Sequence, residues 1–290
     1  MSDTRTRRHQ AALLPGNRLH LVEGPIDLVI WADGAPDAVR DAYRAATRRF
    51  DGLLAELVAE LPLLRTPLRE EFPPLQGPIA RRMAESCWPH RAQFITPMAA
   101  VAGAVAEAVL AAMTAAAPLA RAYVNDGGDI ALHLTPGTSL AIGVVRSLAK
   151  AVPEGEVTIA HDMRARGVAT SGCHGRSFSL GIADAVTVLA RDAPAADAAA
   201  TLIANAVDVD DPAITRCPAR ELDPDSDLGD LPVTVDVALL APARIAAALD
   251  AGVARAEAMR RAGLIEAALL MLAGEWRSVG GPGALLSASK

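Results

Sequence analysis

The chain has 290 residues, 51% of them hydrophobic, with only 9 aromatic side chains and a formal net charge of −6. That balance is too apolar for a disordered chain and too acidic for a general nucleic-acid binder, and the length suffices for a sizeable core in one large or two small domains. Alanine, at 62 residues against 26 arginines and 2 lysines, supplies much of the apolar fraction. Cys87, Cys173 and Cys217 are far apart and odd in number, which excludes a disulfide framework and a paired-cysteine zinc knuckle and suits a reducing cytoplasm. The polar opening from Met1 to Gln10, followed by the short Ala11 to Leu14, predicts no signal peptide. Met98 to Ala120 is long enough to span a bilayer. Glu107 and Pro118 within it favour a buried or amphipathic soluble helix, so no membrane partner is expected.

In chain order, the residues 1–17 read as a flexible tail made basic by Arg5, Arg7 and Arg8. Leu19 to Ala32 predicts a strand pair turning at Glu23-Gly24-Pro25. Pro36 to Leu61 carries apolar residues at helical spacing (Val39, Tyr43, Phe50, Leu53, Leu54, Leu57) and predicts one long amphipathic helix. Prolines at 62, 67, 73, 74 and 78 break the next stretch into a linker, ahead of a short helix from Ile79 to about Ser86. Thr96-Pro97 offers a capping hydroxyl before a first-turn proline, starting an Ala-rich helix at Met98.

Arg121 to Asn125 and Asp129 to Leu134 read as two strands joined through Asp126-Gly127-Gly128. Further strands are expected at Ser139 to Val145, Glu156 to Ala160, Val168 to Ser171 and Ala185 to Ala190. Asp192 then caps a helix over roughly Pro194 to Val207. Asp208 to Asp230 reads as a long acidic loop and Leu231 to Leu240 as a strand. Ala241 to Met271 reads as helical in two pieces split at Gly263, with a Gly-rich end at 280–283. Helices alternating with antiparallel hairpins indicate an α+β fold.

Three groups of residues could carry chemistry. Asp197 and Thr201 stand four apart on a helix, so a carboxylate and a hydroxyl share one face, an oxygen set suited to Mg²⁺. Dipole complementation alone also explains an early helical Asp. Thr170-Ser171-Gly172, continuing through Cys173, His174 and Arg176, can turn backbone N–H groups toward a phosphate or a flavin edge, with Arg176 as an anion clamp. A plain turn explains the same residues, and neighbouring side chains leaving an extended segment point apart, which argues against Cys173 and His174 as nucleophile and base. Asn125-Asp126-Gly127-Gly128-Asp129 is a hairpin turn whose glycines admit close approach of a planar ligand.

The order and spacing of these segments carry more than each alone. Val124-Asn-Asp-Gly-Gly-Asp-Ile130, Gly167-Val-Ala-Thr-Ser-Gly172, and Ala185-Val-Thr-Val-Leu-Ala190 leading into Ala196-Asp-Ala-Ala-Ala-Thr201 together resemble the ApbE superfamily, the FAD:protein FMN transferases. That family has an N-x-GGD-I turn, a TSG loop, and a VTVIA strand entering an A-D-A-L-A-T helix. Ala102-Gly-Ala-Val-Ala-Glu107 sits where those enzymes have K-G-Y-A-x-D. Within the superfamily the sequence looks like the uncharacterised ApbE-like protein family, over about residues 18 to 207.

The resemblance implies an α+β, T-fold-like domain over 18–240, with mixed sheets packed against helices and a helical C-terminal extension at 241–290. It implies FAD or FMN as cofactor, Asp197 and Thr201 as Mg²⁺ ligands, and Thr170, Ser171 and Gly172 as the flavin-nucleotide loop. Asn125, Gly127, Gly128, Asp129 and Arg176 join that cofactor-binding set. Two departures stand out. Ala102 replaces the family's lysine and Glu107 its aspartate, and Cys173 to Asp184 fills the interval where the family has H-I-x-D-P-x-T-G, the source of its transfer histidine. His174, Asp184 and Asp129 are the groups left to handle protons, and His174 and Asp184 are the expected catalytic pair.

Two readings stand open on the sequence. One is an Mg²⁺-dependent flavin-nucleotide protein, acting as a flavin transferase or FAD pyrophosphatase or having altered or lost that activity. The other is a non-catalytic or pterin-type cofactor-binding protein of cofactor biosynthesis or one-carbon metabolism. The Ala-rich helices would also suit a homo-oligomer interface. Asp197→Ala is expected to weaken Mg²⁺-dependent FAD binding in a fluorescence titration while shifting the urea stability by no more than about 0.5 kcal/mol. Unfolding with unchanged affinity per folded molecule would make Asp197 a structural cap.

Overall fold

Alternation of apolar and polar residues near the N-terminus builds the first sheet. Its strands are β1 (Gln10–Leu14), β2 (Arg18–Glu23), β3 (Ile26–Asp33), β4 (Arg121–Asp126) and β5 (Asp129–Leu134). Each pairs antiparallel with the next. A computed structural model describes residues 9–145, 153–175 and 177–280. The chain falls into two units, residues 1–138 with 192–194, and residues 139–191 with 195–290.

In the first unit, β3 buries every second residue, with Leu28 and Ile30 fully inaccessible. Each such side chain contributes about 1.5–3 kcal/mol of transfer free energy. The expected tail is a strand from Gln10 onward, because Gly16 and Asn17 take the positive φ angles that fold it back onto β2.

The single helix predicted over 36–61 is instead α1 (Pro36–Phe50), α2 (Leu53–Ala59) and the one-turn α3 (Leu61–Leu64). The break falls at Gly52, whose φ of +83° lies outside the helical range. Then come α4 (Pro78–Cys87) and α5 (Val101–Ala116), the latter preceded by a 3₁₀ turn, Pro97–Ala100. Thr96 has the extended backbone of an N-cap, but its hydroxyl makes no capping hydrogen bond there.

The span Pro97–Ala116 is long and apolar enough to cross a membrane by length and composition, with a mean hydropathy of 1.8. Two observations fit it better as a core helix. It packs against α1, β4 and β5, and its Glu107 is held by the Arg82 guanidinium through Nε (2.6 Å) and Nη2 (3.1 Å). Arg82 also reaches Asp192 at 2.9 Å. Burial alone would lower the Arg82 pKa, but the hydrogen bond and charge of Glu107, with Asp192 adding to them, raise it above its usual value.

The second unit runs β6 (Ser139–Val145), β7 (Pro153–Ala160), β8 (Gly167–Ser171), β9 (Ala185–Ala190), α6 (Ala193–Ala206, its first residues assigned to the first unit), β10 (Ile214–Pro218), α7 (Ala219–Leu222), β11 (Pro232–Val237), α8 (Pro242–Arg261), β12 (Ala267–Leu272) and β13 (Glu275–Val279). β8, β9, β12 and β13 pair antiparallel in that order, while β6 with β7 and β10 with β11 form separate two-stranded pairs. Mixed helices and antiparallel sheets make the fold α+β.

Two expectations are corrected by these elements. The acidic stretch 208–230 is not one loop, because it contains β10 and α7, and β10 finds its partner in β11. The C-terminal segment 241–290 is not a helical extension. α8 stops at Arg261 ahead of Gly263 (φ +71°), and the apolar run after it forms β12, every residue buried, paired with β9. A short apolar run buried on both faces has no period that separates strand from helix, so only its partner decides.

Backbones in this unit approach where side chains are missing. A Cβ on Gly181 would stand 2.2 Å from the Ala204 carbonyl oxygen of α6 and 2.9 Å from the Asn205 Cα. Gly181→Ala is therefore expected to destabilise the protein by about 1–3 kcal/mol in urea unfolding. Gly137→Ala, in open space, separates this clash from backbone strain, because its φ of +80° carries strain without collision.

Candidate functional site

Strand β8 ends at Ser171, and the chain then turns back on itself: the Gly175 N–H donates to the Gly172 carbonyl at 3.2 Å. Cys173 and His174 occupy this turn. Their side chains therefore escape the alternation that would set neighbours on opposite faces of a strand. The returning chain is pinned opposite, with the Cys173 N–H donating to Ala183 O and the Asp184 N–H to Met271 O, each at 2.9 Å. At Gly172 the contact is closest, since a Cβ there would lie 2.5 Å from the Asp184 carbonyl oxygen.

This geometry gathers three side chains. Donor atoms of Cys173, His174 and Asp184 all lie within 4.8 Å of one another. His174 Nε2 is 3.3 Å from Asp184 Oδ1, while Asp184 Oδ2 accepts the Ala273 N–H at 2.7 Å. That amide is presented by the two-residue turn between β12 and β13, where Ala273 (φ +51°) and Gly274 (φ +83°) are both left-handed. The Cys173 thiol points to Ile182 O at 3.6 Å. Burial first, and then the Asp184 carboxylate, push its pKa up to about 11. It is a protonated thiol at neutral pH rather than a ready nucleophile.

The three residues line a cleft of about 520 Å³, completed by the run Thr234 to Leu240, by Ile245 of α8, and by Leu272 and Ala273. Thr234 anchors this wall, its Oγ1 donating to Gly181 O at 2.8 Å and its N–H to Ser179 O at 2.9 Å. Asn205 Oδ1 of α6 accepts the Leu180 N–H at 2.9 Å, tying the same segment to the helix. The cleft is apolar through Val235, Val237, Leu239 and Leu240, with His174, Asp184, Thr234 and Asp236 as its polar points.

Of the residues singled out in the sequence, His174 and Asp184 are thus brought together, with Cys173 beside them. Thr170 pairs its hydroxyl with that of Thr187 across β8 and β9 at 2.9 Å, and Ser171 lies opposite Val186. Asp197 and Thr201 are half-buried on α6, and neither is among the described residues lining the cleft. Asn125, Gly127, Gly128 and Asp129 belong to the first unit, where the Asn125 side-chain oxygen accepts the Gly128 N–H at 2.8 Å and closes the turn between β4 and β5. Arg176 lies outside the described residues. Sequence reasoning missed the cleft wall at 234–240 and the Ala273 amide. The adjacent Cys-His pair was the visible signal for the third member of the cluster.

Antiparallel sheets flanked by alanine-rich helices, joined to the motif series of the sequence, define an α+β protein of ApbE-like type. A family model described as AbpE bacteria matches residues 10–278, and the chain belongs to that family. It is 36% identical over 165 residues to a UPF0280 protein of Methanothrix thermoacetophila, covering 54% of this chain and 65% of that one. The figures for a UPF0280 protein of Methanosphaerula palustris are 37% over 179 residues, 61% and 69%. The chain thus spans about two thirds of these curated relatives. Among solved structures, the flavinyl transferase ApbE of Pseudomonas stutzeri in its apo form gives a TM-score of 0.38 at 12% identity, over 95% of this chain and 94% of that one. The flavin transferase ApbE of Vibrio cholerae gives 0.36 at 12%, over 95% and 97%. No residue role passes from either to this chain.

The raised Cys173 pKa has a definite sign. The folded state holds the thiol proton more tightly than the unfolded chain, so the associated stability is complete below the ordinary value of 9.0 and is lost as pH rises through about 11. Alkylation of Cys173 by iodoacetamide, followed by peptide mass spectrometry, should show a midpoint near pH 11, and Asp184→Asn should move it down. A midpoint at the ordinary value in the unmodified chain would contradict the assigned burial.

Proposed function

We propose that the chain is a flavin-nucleotide-binding protein of the ApbE-like type, with FAD or FMN as its ligand. The observation that carries this reading is the cleft beside Cys173, His174 and Asp184, at about 520 Å³ and lined by both apolar and polar groups. Such dimensions and lining suit a planar cofactor, since small-molecule sites run from roughly 300 to 1,000 Å³. The motif resemblance to the FAD:protein FMN transferases suggests the flavin class.

A bound pyrophosphate needs a metal ion or a cationic side chain for neutralisation. The reading assigns Mg²⁺ to Asp197 and Thr201, oxygen donors one helical turn apart on α6 that stand outside the cleft lining. Ligand contacts within the second unit are assigned to Thr170, Ser171 and Gly172. In its catalytic form the reading is Mg²⁺-dependent FMN transfer or FAD pyrophosphate cleavage. His174 and Asp184, 3.3 Å apart, would then move the proton of the incoming hydroxyl or water.

One observation favours a second reading. The polar points of the cleft include the acceptor carboxylates Asp184 and Asp236. A carboxylate acceptor suits the adjacent N–H donors of an aminopyrimidine ring, as in a pterin. Titration of purified protein into FAD with Mg²⁺, read by flavin fluorescence and by chromatography for FMN release, tests the first reading. Saturable quenching that requires Mg²⁺ is expected. If FAD is neither bound nor cleaved while a pterin is bound, the second reading replaces it.

A further inference from the structure

We propose that Cys173, His174 and Asp184 form a three-ligand site for a divalent transition metal of the zinc type, its fourth position open to the cleft. One thiol sulfur, one imidazole nitrogen and one carboxylate oxygen are a mixed donor set that selects zinc or a similar borderline ion, and not the hard, oxygen-only Mg²⁺. Three protein ligands with a free position are also the composition of catalytic rather than structural zinc sites.

The distances agree with the donor set. For nitrogen and oxygen ligands about 2.0–2.1 Å from a tetrahedral ion, the two donors stand about 3.3–3.4 Å apart. His174 Nε2 and Asp184 Oδ1 are 3.3 Å apart already, and all three donor atoms fall within 4.8 Å of one another. A surface ion pair would explain the His174 and Asp184 contact, and such a pair is worth little. It does not involve the Cys173 sulfur, which its contact to Ile182 O at 3.6 Å holds within the same small volume.

The supports behind the ligands are those of a built site. Asp184 uses Oδ2 on the Ala273 N–H, which fixes the carboxylate and leaves Oδ1 facing His174. A ligating carboxylate is commonly oriented through its second oxygen in this way. Gly172 and the 2.9 Å bond from Cys173 N to Ala183 O hold the two backbone segments in fixed register. With all three residues on the cleft wall, the open position would take a water or an anionic oxygen of the bound molecule, a phosphate or carboxylate oxygen.

This inference does not rest on the flavin reading, and with the metal bound His174 and Asp184 are ligands in place of the proton-moving pair given above: metal binding without FAD binding would leave it standing while that reading fell. The test uses the full chain, stripped with a chelator and titrated with Co²⁺ as a spectroscopic stand-in for Zn²⁺. One equivalent should bind, with a thiolate-to-cobalt charge-transfer band in the near ultraviolet, and Zn²⁺ should displace it. Cys173→Ser should abolish the band, whereas Cys87→Ser and Cys217→Ser should keep it. His174→Ala and Asp184→Asn should each weaken Co²⁺ binding by about 10-fold or more, the scale on which even outer-shell changes act. Absence of stoichiometric binding, or a band that survives Cys173→Ser, overturns the proposal. If Cys173→Ser fails to fold by circular dichroism, His174→Ala on its exposed turn decides, and an unchanged Co²⁺ affinity there overturns it equally.

Discussion

The site depends on how closely two backbone segments can lie together at Gly172 and Asp184. With no Cβ at Gly172, the Asp184 carbonyl comes within a distance that any side chain would forbid. That approach sets Asp184 opposite the Cys173 and His174 turn, and fixes the register in which β9 runs on to pair with β8 and β12. Gly181 against α6 works in the same way, since the segment carrying Ile182 and Ala183 reaches its position only because Ala204 and Asn205 can be approached so nearly. Once these backbones are locked, the side chains have few alternatives. The Ala273 amide then meets Asp184 and leaves one carboxylate oxygen facing His174.

Electrostatics organises the first unit by a different device. Glu107, standing where ApbE-like transferases have an aspartate, is matched by Arg82 of α4 in a two-pronged contact, and Asp192 completes the group. A half-buried carboxylate without such a partner would be costly, and removal of the arginine would strand two of them. The pairing explains how an alanine-rich helix can hold a charge in its middle and still pack against α1 and the sheet. It also gives Glu107 a partner within its own unit.

Much of the first unit and of the central strands was legible because periodicity was strong there. β3 alternates residue by residue, the Gly127-Gly128 turn announces its hairpin, and the Ala185 to Ala190 run enters its helix at Asp192. The failures cluster where a local pattern has two solutions. Ala267 to Met271 reads as helix by continuity with α8, yet every residue of β12 is buried, and its pairing with β9 and β13 decides the matter. Ile214 to Pro218 hides within an acidic stretch and becomes a strand only because β11 lies beside it. Strand alternation does not govern Cys173 and His174, because β8 ends at Ser171.

What the sequence determined by itself was the α+β class, most of the elements, the family resemblance, and the presence of His174 and Asp184 between two predicted strands. Composition, spacing and turn chemistry are local properties, and a chain carries them before it folds. Tertiary structure decided that Cys173 joins those two residues, that a β12–β13 hairpin delivers the Ala273 amide to Asp184, and that residues 234–240 wall a cleft around them. Those facts join positions as much as 89 residues apart in the chain. They depend on which backbones can touch, and only the packed chain settles that.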